Sequence, residues 1–570
     1  MLFTFSAAKA ETEESVEPGP SGTSKDSSTA LPSLEAKHNR FPELADVDDA
    51  PLHFRLVDFQ HFKFTCPACS SKMTFHEVQR KTMTSQVQLS CDNCDMTCGS
   101  AWTAASEDVN NRCVLGLRSA GGGHSMLQSI CESLDMPSMS SATFYRSQHE
   151  IKERIASDDD WKRTVASAIR EAHLGVGNMP GTDGILNIPV SYDGTWQKRG
   201  YHSHNGVGVV IDVLTGLVLD FEVLSNTCRT CTQMKDKLTC EEFEEWSKGH
   251  NLKKQCEKNH EGSAAMMEVR AAEILWQRSI EVFGMRYVTV ISDGDSKSFN
   301  NLSSLNVFGD EHPIEKKECI NHVSKRLLSG LKSFVKEKTS KGIVVSGRNR
   351  LTLNKMIYFQ GLYRNAIAKS ENVEEMNRRI NGILFHSMST KDDHCHRLCD
   401  RGESSFCYHQ RAIAKGEVPV VPSTHEPLPK DIGMALMPLF KKLSNPELLK
   451  RCTKQQTQNA NESFNNILWS KCSKSNFCDR STIEFGAVLA ARQYNEGPMA
   501  TARLMTSVGI EPGLFTLKSI NSRIQHAKSA ARRKHSVGAK ISRKYKKLAK
   551  TKAELKAKAA EGKVYGPGKF

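Results

Sequence analysis

The sequence lacks any apolar run long enough to cross a membrane. A spanning helix needs about 20 consecutive apolar residues, and no segment of the 570-residue chain approaches that length. The apolar opening Met1–Ala8 has no basic start and is too short to be a secretory signal. From the sequence alone we therefore expect an intracellular protein with no membrane partner.

Outside its last segment the chain also has almost no net charge. The formal charge is +14, and residues 523–570 alone carry sixteen Lys or Arg against two Glu, which accounts for all of it. The densest basic positions are Arg532, Arg533, Lys534, Arg543, Lys544, Lys546 and Lys547. This tail predicts non-specific binding to DNA phosphates and nuclear import. The alternative is a solvated charged tail without a dedicated partner.

Composition divides the rest of the chain, in which no internal repeat is visible. Residues 1–50 are rich in Ser, Thr, Pro and acidic side chains, which predicts a disordered leader. Residues 60–105 hold closely spaced cysteines, and residues 110–180 have helical periodicity typical of a DNA-binding or linker region. Residues 185–500 form the main domain.

The main domain has an α/β pattern. Ile185–Tyr192, Gly206–Leu214 and Leu217–Leu224 are predicted as strands, followed by a helix over Ser263–Phe283 and a fourth strand over Tyr287–Ser292. A Cys-rich loop (225–262) and a helical insertion (323–455) interrupt this pattern. The order of elements along the chain is three adjacent antiparallel strands, then a helix, then a fourth strand. This is the order of a ribonuclease-H-like core.

The cysteine spacing indicates zinc. In a reducing compartment the 18 cysteines are not expected to form disulfides. Cys66-x2-Cys69 followed by Cys91-x2-Cys94 is a zinc-ribbon spacing, in which four thiolates enclose Zn²⁺ and hold together a module with little core of its own.

The Cys-rich loop contains candidate ligands for a second zinc site. Its candidate ligands are Cys228, Cys231, Cys256 and His260, and the nearby Cys240 and His250 compete with them. Cys319-x2-His322 can bind metal with a partner such as Cys407, but a buried thiol and a capping His explain it equally well. We leave that pair out of the predicted metal ligands.

Three carboxylates are candidates for a catalytic site. Asp193 and Asp293 each follow a predicted strand, and Glu462 lies on a predicted helix over Thr457–Trp469. Two Asp at neighbouring strand ends and one acid from a helix can bind two Mg²⁺ or Mn²⁺ ions, which is the arrangement that phosphodiester chemistry uses. Asp295 competes with Asp293. Acids at these places are also ordinary turn formers and caps.

Several strings resemble blocks of the Mutator-like transposases of animal genomes. They are Ser191–Gly200, Asn259–Ser263 with Met267–Glu268, Ser292–Lys297 with Glu318–Val323, and Thr457–Ser463. The resemblance spans roughly residues 110–500. It implies a ribonuclease-H-like core with a helical insertion before the last acid, and a catalytic triad of Asp193, Asp293 and Glu462.

The expected function is therefore that of a DNA transposase. We expect it to cut and join phosphodiester bonds at transposon ends, as a homo-oligomer on double-stranded DNA in the nucleus. Near the predicted site, Arg199, Lys325 and Arg326 are candidate contacts to the DNA backbone. Two alternatives remain open: a host-adopted, catalytically silent DNA-binding regulator, and a ribonuclease-H-like repair nuclease.

Overall fold

The computed structural model describes most of the chain from Phe64 onward. The described residues are 64–102, 105–156, 159–197, 203–252, 256–292, 297–347, 349–423, 425–453, 457–474, 477–536 and short stretches within 538–553. The predicted leader and the end of the basic tail lie outside them. The architecture is mixed α/β. Within the described part of the chain, every helix is too short or too polar to cross a bilayer.

The first module is a small antiparallel sheet. Its strands, in spatial order, are β1 (Phe64–Thr65), β2 (Lys72–Lys81), β3 (Thr84–Cys91) and β4 (Thr97–Trp102). Its own core has only three buried members, Cys66, Met73 and Cys91. A module with so little buried apolar area needs another source of stability, which is what a structural metal provides.

The main domain is built on a five-stranded sheet. Its strands are β5 (Leu186–Trp196), β6 (Asn205–Asp212), β7 (Val218–Ser225), β8 (Met285–Ser292) and β9 (Glu315–Glu318). The spatial order is β7-β6-β5-β8-β9. The pairs β7–β6 and β6–β5 are antiparallel, and the pairs β5–β8 and β8–β9 are parallel. Every residue of β6 is buried, as expected for a strand covered on both faces.

Two strand predictions differ from the structure. The expected end of the first strand at Asp193 is wrong, because Asp193 pairs with Val209 and the ladder continues to Trp196 opposite Gly206. The fifth strand, β9, was not predicted, because its sequence is Glu-Lys-Lys-Glu and has no apolar signal. Glu318 in it is nevertheless buried, beside Arg326.

Helices cover both faces of the sheet. On one face lie α4 (Asp159–Gly175) and α7 (Ala264–Gln277), whose buried Trp276 packs edge-on against Tyr192 and Tyr287. The predicted helix over 263–283 is interrupted at Arg278, where the short α8 (Ser279–Phe283) begins. On the other face α16 (Asn459–Lys471) and α17 (Arg480–Glu496) pack against the Val and Ile side chains of β6.

The remaining helices form three groups. Early helices are α1 (Ser106–Ser119), α2 (His124–Ser133) and α3 (Ser141–Ala156), which share a core with α17 and α18 (Ala500–Ser507). The Cys-rich loop contains α5 (Arg229–Lys235) and α6 (Cys240–Leu252), and α9 (Lys297–Leu305) follows β8. The insertion has its own core and contains α10 (Ile320–Ser340), α11 (Leu353–Ala368), α12 (Val373–Ser387), α13 (Tyr408–Ala414), α14 (Lys430–Leu443) and α15 (Pro446–Arg451). The long α19 (Leu514–His535) leads into the tail.

Candidate active site

Asp193 lies in the central strand of the sheet, half-buried, with β6 on one side and β8 on the other. Its carboxylate Oδ2 accepts a hydrogen bond of 2.9 Å from the side-chain amide of Asn465 on α16. Asp193 pairs with Val209 of β6, and the ladder with β8 ends two residues earlier at Ser191. The sheet thus sets the location of this carboxylate, and α16 sets its orientation.

Four further hydrogen bonds, made by three side chains in and just before α16, hold the helix along β5. Before the first turn, Gln458 Nε2 donates to the carbonyl oxygen of Tyr192 at 2.8 Å. Asn461 is fully buried and exchanges hydrogen bonds with Ser191, whose hydroxyl donates to its side-chain oxygen. Near the other end, the indole N–H of Trp469 donates to Thr195 Oγ1 at 2.8 Å. The helix is thus bound to the strand over most of its length.

Glu462 lies in the first turn of α16, between these anchors. It is three residues before Asn465, so the two side chains share a helix face about 5–6 Å apart at Cβ. Because Asn465 contacts Asp193, Glu462 is brought to the same edge of the site. Its side chain is 53% exposed, with Lys325 Nζ at 3.6 Å and His322 Nε2 at 3.9 Å from Oε1.

The Cys319-x2-His322 pair links the beginning of α10 to the beginning of α16. Gln458 N–H donates to Cys319 Sγ at 3.3 Å, and Gln458 Oε1, which can only accept, lies 3.0 Å from His322 Nδ1. Burial opposes it, but the hydrogen bonds from His322 and Gln458 lower the pKa of the Cys319 thiol. This pair therefore positions the helix that carries Glu462.

Glu268, which sequence reasoning did not assign, is a further carboxylate beside β5, on the sheet face opposite α16. It lies on α7, and its side chain passes directly over Gly194, where an added Cβ would be 2.6 Å from Glu268 Cγ. Burial raises the pKa of the neighbouring Tyr192 well above its usual range, and the charges of Glu268 and Asp193 add to this. The glycine after Asp193 was the available signal, since only a residue without a side chain allows this approach.

The second predicted acid, Asp293, and its competitor Asp295 lie outside the described residues. The strand before them is well defined: β8 ends at Ser292, and Ile291 pairs with Ser191 of β5. Asp193 and Asp293 each come two residues after these partners in the sequence. The assignment of Asp293 stays a prediction.

One family model matches this chain. It is the Mutator-like transposase model, and it covers residues 52–407. The chain belongs to the Mutator-like transposase family. The matched range includes the first sheet, Asp193 and the whole of β8, and it ends before Glu462. No curated protein and no solved structure gives a significant match.

Membership of this family implies a transposase-related function and a protein that acts on DNA. The resemblance inferred from the motifs is thereby confirmed.

The four predicted ribbon cysteines converge in the transposase. Cys66, Cys69, Cys91 and Cys94 bring their sulfurs within 4.8 Å of one another. The Sγ–Sγ distances of 3.4–3.6 Å are close to the edge of a tetrahedron with Zn–S bonds of about 2.3 Å. Hydrogen bonds from Ser71 lower the pKa of the Cys69 thiol to about 6, which favours the thiolate that zinc requires.

The second cluster forms with one changed member. Cys228, Cys231 and Cys256 converge with His250, whose Nε2 lies 3.5 Å from Cys228 Sγ. His250, and not His260, completes the group; His260 Nε2 faces the carbonyl oxygen of Ser263 at 3.3 Å. His250 is held by α6, where it stacks on Trp246 at 4.6 Å. Sequence distance favoured His260, which is nearer to Cys256 along the chain, but the helix brings His250 into reach.

The predicted DNA contacts occupy different environments. Lys325 is 57% exposed beside Glu462, whereas Arg326 donates to the buried Glu318 at 2.8 Å and is already paired. Arg532, Arg533 and Lys534 are exposed on the last turns of α19, and Arg543 and Lys546 are exposed farther along. Arg199, Lys544 and Lys547 lie outside the described residues.

Proposed function

We propose that this Mutator-like transposase is catalytically competent, and that it cuts and joins phosphodiester bonds at transposon ends. The main supporting observation is the docking of α16 on β5. The contact from Asn465 to Asp193 brings the helix face that carries Glu462 to the carboxylate of the central strand. Two acids separated by most of the domain's sequence share one edge of the sheet.

The strand order supports a ribonuclease-H-like core for this domain. The antiparallel strands β5, β6 and β7 come first in the chain, and β8 and β9 then add in parallel beside β5. In such a core the catalytic acids come from the first strand, the fourth strand and a helix that packs on them. Asp193 lies in the first of these strands and Glu462 on the packed helix, and in the sequence Asp293 directly follows β8.

The donor groups fit a hard divalent cation. Asp193 and Glu462 offer carboxylate oxygens, which Mg²⁺ and Mn²⁺ prefer, and Asp293 would complete the set. A bound pair of such ions supplies a nucleophile at neutral pH and neutralises charge on the phosphate. The chain's own task is positioning: Asn465 orients Asp193, and the anchors of α16 fix Glu462.

The nearby cations support DNA as the substrate. Lys325 lies within 3.6 Å of Glu462 and is largely exposed, so it can contact a phosphate that enters the site. The exposed basic residues on the last turns of α19 offer further positive charge for phosphates. We propose that they bind the duplex non-specifically and that the protein acts in the nucleus as a multimer on DNA.

The direct test is metal-dependent cleavage of the element's own ends. Purified full-length protein is incubated with Mg²⁺ or Mn²⁺ and a plasmid that carries the DNA flanking the gene. Cuts at the ends that disappear in Asp193→Asn, Asp293→Asn and Glu462→Gln support the proposal. Glu337→Gln is the matched control, because among the described residues the ion-pair partner of that exposed carboxylate on α10 is Lys341. It should cleave as the wild type does.

The same experiment identifies the alternative. DNA binding of equal strength in all variants, with no cleavage by any of them, indicates a host-adopted regulator. Cutting without preference for the element's ends indicates the ribonuclease-H-like repair nuclease. Cleavage that survives Asp193→Asn removes that residue from the mechanism.

A further inference from the structure

The helical insertion contains a third group of soft ligands, in a part of the chain that the proposed catalysis does not use. His386, His396, Cys399 and Cys407 are all buried, and their donor atoms lie within 4.8 Å of one another. His386 is in the last turn of α12, and the other three belong to residues 388–407, which form no helix or strand. We propose that this group is a structural Zn²⁺ site.

The distances between the donor atoms match the edges of a zinc tetrahedron. With Zn–N bonds of about 2.0–2.1 Å and Zn–S bonds of about 2.3 Å, the edges are about 3.3 Å for N–N and about 3.6 Å for N–S. His386 Nδ1 and His396 Nδ1 are 3.2 Å apart. Cys407 Sγ is 3.5 Å from His396 Nδ1, and Cys399 Sγ is 3.7 Å from His386 Nδ1. One ion fits among the four atoms.

The surrounding hydrogen bonds prepare the ligands for metal. His396 Nε2 lies 3.0 Å from Ser389 Oγ and 3.4 Å from the Tyr408 hydroxyl. With its proton on Nε2, the ring presents an unprotonated Nδ1 to the cluster. Ser389 Oγ is itself fixed by the backbone N–H of Cys395 at 3.1 Å. The backbone N–H of Gln410 points at Cys407 Sγ at 3.4 Å, a contact that stabilises a thiolate.

A metal also explains how residues 388–407 keep a defined path. A connection of this length without secondary structure is uncommon in a compact domain unless something fixes it. The zinc would tie the end of α12, the middle of the loop and the first residue before α13 to one point. A cavity of about 690 Å³ beside the cluster, lined partly by His386, Tyr408 and His425, offers the ion a route of entry.

The test is the zinc content of the full-length protein, measured by elemental analysis. Cys399→Ser and Cys407→Ser should each contain one equivalent less zinc than the wild type. Cys395→Ser is the matched control: it lies in the same loop, but its sulfur contacts only Asp393 at 3.8 Å in the described structure, so the zinc content should not change. A full zinc content in Cys399→Ser would overturn the proposal.

If Cys399→Ser does not fold, a second variant tests the proposed zinc site. His396→Cys replaces one zinc ligand by another and should keep the wild-type zinc content. A folded His396→Cys protein that lacks one equivalent would overturn the proposal. So would a disulfide between Cys399 and Cys407 in protein purified without oxidant. The result is independent of cleavage, because none of these residues belongs to the carboxylate site.

Discussion

Replacing Gly194 by Ala tests the close approach between β5 and Glu268. The new Cβ would lie 2.6 Å from Glu268 Cγ and 2.9 Å from its Cδ, whereas ordinary contacts begin near 3.4 Å. A gap of about 0.8 Å must therefore open. At this point β5 is held by its ladder with β6, where Gly194 pairs with Gly208, so most of the movement must come from Glu268 and the start of α7.

We expect Gly194→Ala to lose both stability and cleavage activity. Overpacking of this kind costs about 1–3 kcal/mol of stability, which thermal unfolding registers as a fall of a few degrees. A displacement near 1 Å at a site of phosphoryl chemistry costs about 100-fold in rate. We expect cleavage of the element's ends to fall by that factor, while DNA binding in a gel-shift assay changes little.

A control variant and a double variant separate the loss of stability from the loss of cleavage. Gly361→Ala on α11 has nothing within 4 Å of the added carbon, so it should leave cleavage unchanged and should not lower the melting temperature. Gly194→Ala combined with Glu268→Ala removes the clash and should restore stability. If cleavage returns with it, the Glu268 carboxylate has no part in the reaction. Wild-type melting and cleavage by Gly194→Ala alone would refute the steric reasoning.

Other predictions concern stability and the metal. Trp276→Ala should lower the free energy of unfolding by about 3–5 kcal/mol, measured by denaturant titration, because a fully buried indole leaves a cavity between α7 and the sheet. Arg278→Met should cost about 3–5 kcal/mol in the same assay, since it leaves the largely buried Asp220 without its partner; an unchanged midpoint would contradict this. A zinc chelator should make residues 64–102 sensitive to protease while β5–β9 remain resistant, and protection of both would contradict the ribbon assignment.

The apolar strands of the main sheet could be predicted from the sequence. Runs such as Tyr287–Ser292 have a strong β signal, and the turn at Thr215–Gly216 marks the hairpin between β6 and β7. The charged strand β9 could not be predicted, because its pairing with β8 decides its conformation and its side chains give no periodicity. The position of Asp193 inside β5 could not be predicted either, because the length of the partner strand β6 decides where β5 ends.

The metal clusters also differ in how far the sequence predicts them. The ribbon could be predicted because its cysteines come in two close pairs with zinc-ribbon spacing. The group around His386 has no such pairing, and His394, Cys395 and His409 lie among its members as equally plausible ligands. Only the folded loop shows which four converge. The choice of His250 over His260 likewise needed the position of α6 in space.

The helical insertion starts and ends at nearly the same point. Cys319, just before α10, contacts Gln458, just before α16, and Asn321 donates to Asn459 at 2.8 Å. An inserted unit whose two ends touch can change in size or sequence without pulling on its host. The helices α11 to α14 can therefore be remodelled as a separate unit, while α10, α15 and the junction keep Glu462 in register with the central strand.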